Sequence, residues 1–168
     1  MKKIILSIVL LVALVACKTD KNKTEAAVTD EVTVIALNDF ESKAGDWVDK
    51  EVQLTGIVDH VCKHGGKRLF LVSDEADVHV DSENRFDDAL EGSEISVKGI
   101  VRELRVDEAY CLQQEEDFIQ KHKEGVDGDD VYEKKMAHIQ SYRDSMKVAG
   151  VDHLSFYTID YLSHDILK

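Results

Sequence analysis

Two short stretches decide how the chain folds: Val52 to Val58 (VQLTGIV) and Ile95 to Val101 (ISVKGIV). In each, apolar residues fall at alternate positions, the period of a strand with one face buried. Each also carries a glycine in its interior, Gly56 and Gly99, where a strand interior normally avoids one. Glycine there marks a bulge, a sharp bend or a close backbone approach. Two strands built alike and each bent in the middle predict a curved sheet rather than a flat one.

Working outward, Arg68 to Ser73 (RLFLVS) reads as a second strand, entered through the turn His64-Gly65-Gly66-Lys67. Phe70 lies among Leu69, Leu71 and Val72 and reads as core. Asp77 to Val80 gives a third strand, and Phe86, Ala89 and Leu90 fit one helical turn closed by Gly92. The fourth strand runs from Glu94 to Leu104. Phe118-Ile119 then sits in a short polar helix ending near Gly125. Asp130 and Glu133 have the spacing of a capping box, and Tyr132, Met136, Ile139 and Met146 follow helical spacing to Gly150. Ser155 to Leu162 (SFYTIDYL) alternates and is rich in aromatic and β-branched residues, a fifth strand. Before the first strand, Asn38 or Asp39 can cap a short helix. The expected core is Val52, Leu54, Val58, Leu69, Leu71, Val78, Val80, Ile95, Val97, Val101, Phe156 and Ile159.

This order of elements resembles the OB-fold, with its bent first strand and a helix between strands three and four. The resemblance implies a mainly β domain with an α insertion. Its centre is a five-stranded barrel with a short helix between strands 3 and 4 and a helical insertion between strands 4 and 5. Closing the sheet on itself also removes exposed edges. An open α+β sheet with a C-terminal helix pair is the alternative.

The 168 residues include 34 acidic against 21 Lys plus Arg, a formal charge of -13. That length suits one mid-sized domain. So acidic a chain repels polyanions, which disfavours nucleic acid as a partner. There is no proline, which excludes Pro-rich linkers, and three cysteines are too few for a disulfide-dense scaffold.

The N-terminus sets the expected location. Met1-Lys2-Lys3 is a basic start, and Ile4 to Ala16 is an apolar run of 13 residues broken only by Ser7. The run falls short of the roughly 20 residues of a membrane span and suits a signal peptide. Leu14-Val15-Ala16-Cys17 resembles the lipobox of bacterial lipoproteins. The resemblance implies diacylglycerol transfer to the Cys17 thiol, cleavage after Ala16 and acylation of the new amino group. An ordinary secretory signal with a chance cysteine is the alternative. The expected organisation is a signal peptide at 1–16, a lipidated, disordered tether at 17–33 and one OB-like domain at 34–168. The expected place is the bacterial cell envelope, outside the cytoplasm, with the membrane as partner through the lipid.

Among groups that carry chemistry, His60-Val61-Cys62-Lys63-His64 stands out. On a continuing strand, His60, Cys62 and His64 project to one face. Imidazole and thiolate suit zinc or copper, and in an OB arrangement Cys111 would be brought near as a fourth ligand. The same two cysteines, Cys62 and Cys111, could instead form a disulfide or act as buried filler. Gly65-Gly66, flanked by Lys63, Lys67 and Arg68, could hold an anion or ligand, or serve only as a hairpin turn. No hydrolase elbow, Walker or His-Glu-x-x-His pattern occurs, and the other histidines are scattered. The expectation is a non-enzymatic protein that binds a protein or a small molecule at the barrel mouth. A metal-binding or metal-sensing lipoprotein is the alternative.

Overall fold

A computed structural model describes residues 32–167. The expected signal peptide, Cys17 and the part of the expected tether up to residue 31 lie outside the described residues.

Strand β1 is Thr33–Val34, and a run of short turns follows it: a 3-10 turn at Leu37–Asp39, helix α1 at Phe40–Lys43 and a second 3-10 turn at Ala44–Trp47. Then come β2 (Glu51–Val61), β3 (Arg68–Val72), β4 (Asp77–Asp81), a 3-10 turn at Asp88–Leu90 and β5 (Glu94–Asp107). Helices α2 (Glu108–Lys123) and α3 (Asp129–Ala149) lead to β6 (His153–Ile166). The strands pair in the order β1-β2-β3-β4-β6-β5, and β5 returns to β2. Five strands therefore close into an OB-like barrel, with β1 outside it as a sixth. The β4–β6 pair is parallel, and the other four contacts of the barrel are antiparallel. The open-sheet alternative is set aside by that closure.

Both glycines read from the sequence do identifiable work. At Ile57, β2 leaves β5 and takes up β3. A Cβ on the preceding Gly56 would lie 2.8 Å from Leu71 Cγ and 2.9 Å from the Val72 carbonyl oxygen. At Gly99 the β5–β6 register shifts. A Cβ there would collide with Ile159 Cγ2 and lie 2.5 Å from the Asp160 carbonyl oxygen.

Inward-facing residues of all five strands fill the barrel, including Val52, Leu54, Leu69, Leu71, Val80 and Val97, each at most 1% exposed. Each aliphatic side chain so buried contributes roughly 1.5–3 kcal/mol. Near the start of β2, Phe40 and Ala44 from the N-terminal turns join this core. Near its end, Phe86 and Leu90 do the same, tied down by Phe86 N–H donating to the Gly66 carbonyl (2.8 Å) and Gly92 N–H to the Val58 carbonyl (2.8 Å). The one helical turn expected between strands three and four is the 3-10 turn at Asp88–Leu90, followed by Gly92 at φ +81°.

Of the expected core, Phe156 is the exception: it is 42% exposed. β5 and β6 are 14 residues each and pair along their whole length, yet β2 pairs β5 only as far as Ile100. β4 in turn meets β6 only at Ile159 and Asp160. Residues 102–107 and 153–158 thus form a two-stranded arm beyond the barrel, and Phe156 stands on the face that also carries Val106 and Leu154, with its ring 5.8 Å from that of Tyr142.

At the end of the arm, α2 and α3 form a helical head around a second core of Val106, Cys111, Ile139 and Met146. The Asp107 side chain caps α2 by accepting from Tyr110 N–H at 2.9 Å. α2 is longer than the short helix expected around Phe118. α3 starts after Gly128 with no side-chain cap, so the Asp130–Glu133 spacing is not used as a capping box. Arg143 clamps the pair, donating to both Glu115 and Glu108.

Candidate binding groove

The structure does not bring the predicted metal and disulfide residues together. Cys62 ends the β2 strand region, where its N–H donates to the Arg68 carbonyl (2.8 Å) and its carbonyl accepts from Gly66 N–H (2.7 Å). Cys111 is buried in the helical head, and burial pushes its thiol pKa up. Both thiols are free. The OB analogy placed them at one barrel mouth; the arm instead carries Cys111 away into a separate core. His60 is engaged by Asp59 (Nδ1 to Oδ2, 2.6 Å), and His64 is exposed. Among the described residues, no group of three or more His, Cys, Asp and Glu is placed to hold a metal ion. The zinc or copper site at His60, Cys62, His64 and Cys111 and the Cys62–Cys111 bridge are therefore corrected.

The anion site also changes meaning. The Gly66 N–H is used within the turn, and a Cβ on Gly66, whose φ is +64°, would sit 2.6 Å from the Arg85 guanidinium carbon. Arg68 is held by Asp81 through two bonds of 2.5 and 2.9 Å. That leaves Lys63, Gly65 and Lys67 as an exposed hairpin turn.

A different constellation appears on the outer face of β2, β3 and β4. His60, Phe70 and His79 occupy cross-strand neighbouring positions. The His60 ring stacks on Phe70 with centroids 4.0 Å apart, and His79 meets Phe70 edge-on at 4.4 Å. Aromatic pairs at these distances add about 0.5–1.5 kcal/mol beyond area burial. Phe70 is thus on the outside, not in the core. The signal was present: Leu69 and Leu71 both face inward, so the residue between them must face out.

Beside this ladder, β4 and β6 pair at Val80–Asp81 with Ile159–Asp160 and then diverge. Their divergence opens a groove of about 580 Å³. Its apolar lining is His79 and Val78 on one side and Leu104, Phe156 and Tyr157 of the arm on the other. Leu104 and Phe156 are cross-strand partners, 45% and 42% exposed. Glu41, Glu75 and Asp77 also line the groove, and none of them has an ion-pair partner among the described residues. The groove's one cation, Arg68, is already neutralised by Asp81.

A second recess, about 630 Å³, lies across the β4–β6 pair around Asp81, Arg102 and Asp160. Most of its charges are paired: Arg102 donates to Asp160 at 2.6 Å and to Asp49, and Asp81 accepts from Arg68. The groove differs in combining unpaired carboxylates with open strand edges and with Leu104 and Phe156, 45% and 42% exposed.

No protein-family model matches the sequence, and no curated protein matches it either. Among solved structures, the chain is similar to the telomere capping protein Ten1 from Saccharomyces pombe (18% identity over 42% of this chain and 68% of that one, TM-score 0.33). It is also similar to a chain of the S. pombe Stn1-ten1 complex (19% identity, 44% and 67%, TM-score 0.31). At these scores the likeness carries no argument, and the barrel rests on its own strand pairings.

Proposed function

We propose that this chain is a lipid-anchored protein of the bacterial cell envelope whose domain binds a partner protein, without catalysis, in the groove between β4 and the arm. The observation that carries the reading is the contrast between a barrel whose core side chains are almost wholly buried and an open groove whose Leu104 and Phe156 remain about half exposed. A ligand inside the barrel would compete with this packed core, to which Phe40 and Phe86 belong, so the binding site is placed on the outside. Apolar residues in a concave, polar-rimmed surface are the usual anchor of such contacts.

The non-catalytic reading rests on the sequence, which carries no hydrolase elbow, Walker or His-Glu-x-x-His pattern. His138 bonds Tyr142, His153 bonds Asp152, His164 bonds Tyr161, and His122 stacks on Tyr132.

A photo-crosslinking residue at Phe156 in the full chain, expressed in its own cells, tests the groove. Adducts are expected there and not from Val148, which is 90% exposed on α3. Equal adducts at both positions, or none at Phe156, would refute the groove as the binding site.

Anchoring rests on the Leu14-Val15-Ala16-Cys17 box and its apolar core. Acyl chains, at about 0.8 kcal/mol per buried methylene, hold such a chain to a membrane, while its acidic domain is repelled from anionic headgroups. Mass spectrometry of the mature N-terminus should find an acylated Cys17, and Cys17→Ser should release the protein from the membrane fraction. A free amino terminus at any other residue contradicts the anchor.

A further inference from the structure

Six consecutive residues of β6, His153 to Thr158, pair with β5 on one side and with nothing on the other among the described residues. Across the groove, Asp77 to His79 of β4 pair only with β3. Both walls therefore present unpaired backbone N–H and C=O groups towards the same space. Such edges are ordinarily blunted with lysine, proline or a covering element. Here the edge residues are His153-Leu154-Ser155-Phe156-Tyr157-Thr158, which include neither.

We infer that the groove takes an extended, basic segment of a partner protein, added as a β-strand on the free edge of β6 from His153 to Thr158. The inference rests on the groove reading above and names its occupant. Strand addition draws affinity from main-chain hydrogen bonds and specificity from pockets for alternate side chains. The alternation fits: an incoming apolar side chain would meet Leu104 and Phe156, and its neighbours would turn towards the rim.

Charge selects the kind of segment. Glu41, Glu75 and Asp77 are uncompensated, and the chain as a whole carries -13. Lysine or arginine at alternate positions would neutralise the three carboxylates. A nucleic acid or a phosphorylated peptide would meet those same carboxylates with like charge. A second copy of this chain is excluded on similar grounds, because its β6 strand is flanked and studded by Asp152, Asp160 and Asp165.

The test titrates the isotopically labelled full chain with a synthetic decapeptide of alternating lysine and valine. Two further probes are the same peptide N-methylated on the amides of one edge or the other, and its glutamate counterpart. Binding should shift the amides of residues 77–79 and 153–158. N-methylation of one edge should weaken binding by about tenfold or more, the signature of lost main-chain bonds. The triple variant E41Q/E75Q/D77N should weaken the lysine peptide to a similar extent and flatten its salt dependence. Equal binding by both N-methylated peptides would overturn strand addition while leaving the groove as a binding site. Equal binding by the glutamate peptide would overturn the basic occupant. Shifts confined to residues outside the groove would overturn both the inference and the reading it rests on.

Discussion

The barrel and the helical head belong to one continuous chain but are held in different ways. Eighteen buried residues from seven segments converge in the barrel, so each strand is fixed by residues distant in sequence. The head has four buried residues, and its helices are tied by Arg143 to Glu108 and Glu115, by His122 stacked on Tyr132 and by Lys135 over the Phe118 ring. Where apolar area is plentiful, packing alone specifies the arrangement; where it is scarce, a charged clamp supplies the geometry. The head should therefore open before the barrel, and by a route that acid can trigger.

The largest expected effect is in the barrel. Leu54→Ala empties a site that is 1% exposed and should cost about 2–5 kcal/mol, read as a lowered urea midpoint of the whole domain. A loss below 1 kcal/mol would mean the core is not as tightly packed as the contrast requires. Next comes Ile139→Ala, 2% exposed in the head. It should cost about 2 kcal/mol, confined to α2 and α3: hydrogen exchange should quicken in the helices while β2 and β3 stay protected. Parallel loss in both regions would show one cooperative unit and erase the distinction.

The smallest effect is the clamp. Hydrogen bonds from Arg143 hold the Glu115 and Glu108 carboxyls below their ordinary value of 4.5. Depressed carboxylates stabilise the head fully above that value, and the contribution is lost as pH falls through the lowered ones. Helical protection in the head should thus decline on acidification below about 4.5, with the barrel unchanged. Arg143→Met should remove that dependence and leave the head loosened at neutral pH, by less than Ile139→Ala does. Both carboxylates contact solvent, so high salt should mimic part of the effect.

The barrel was readable from sequence because its strands keep a strict period of two: Val52, Leu54, Val78, Val80, Ile95 and Val97 all lie where alternation puts them. Reading failed where the two faces of one strand were both counted as core. Phe156 lies three positions from Ile159, so with Ile159 facing the barrel interior Phe156 points to the opposite face, towards Tyr142 and solvent. β1 escaped notice because two residues carry no periodicity; only parallel pairing with Val52 and Gln53 makes Thr33–Val34 a strand. Of the candidate site, His60 was seen but its partners were not. Phe70 and His79 adjoin it through strand register, and register is written in no local motif. The groove itself arises from the divergence of two strands 72 or more residues apart, to which single-sequence patterns are blind.

The position of β6 between β4 and β5 also governs when the domain can form. Until the last strand is present, β4 and β5 each expose an edge, and the barrel consists of a meander with a gap. Closure must wait for contacts between residues about 80 apart in sequence (Val80 with Ile159), a separation that slows folding. A chain truncated before His153 would keep that gap and pair its open edges with other chains. The same lateness means that a nascent chain cannot close its barrel until β6 has been synthesised.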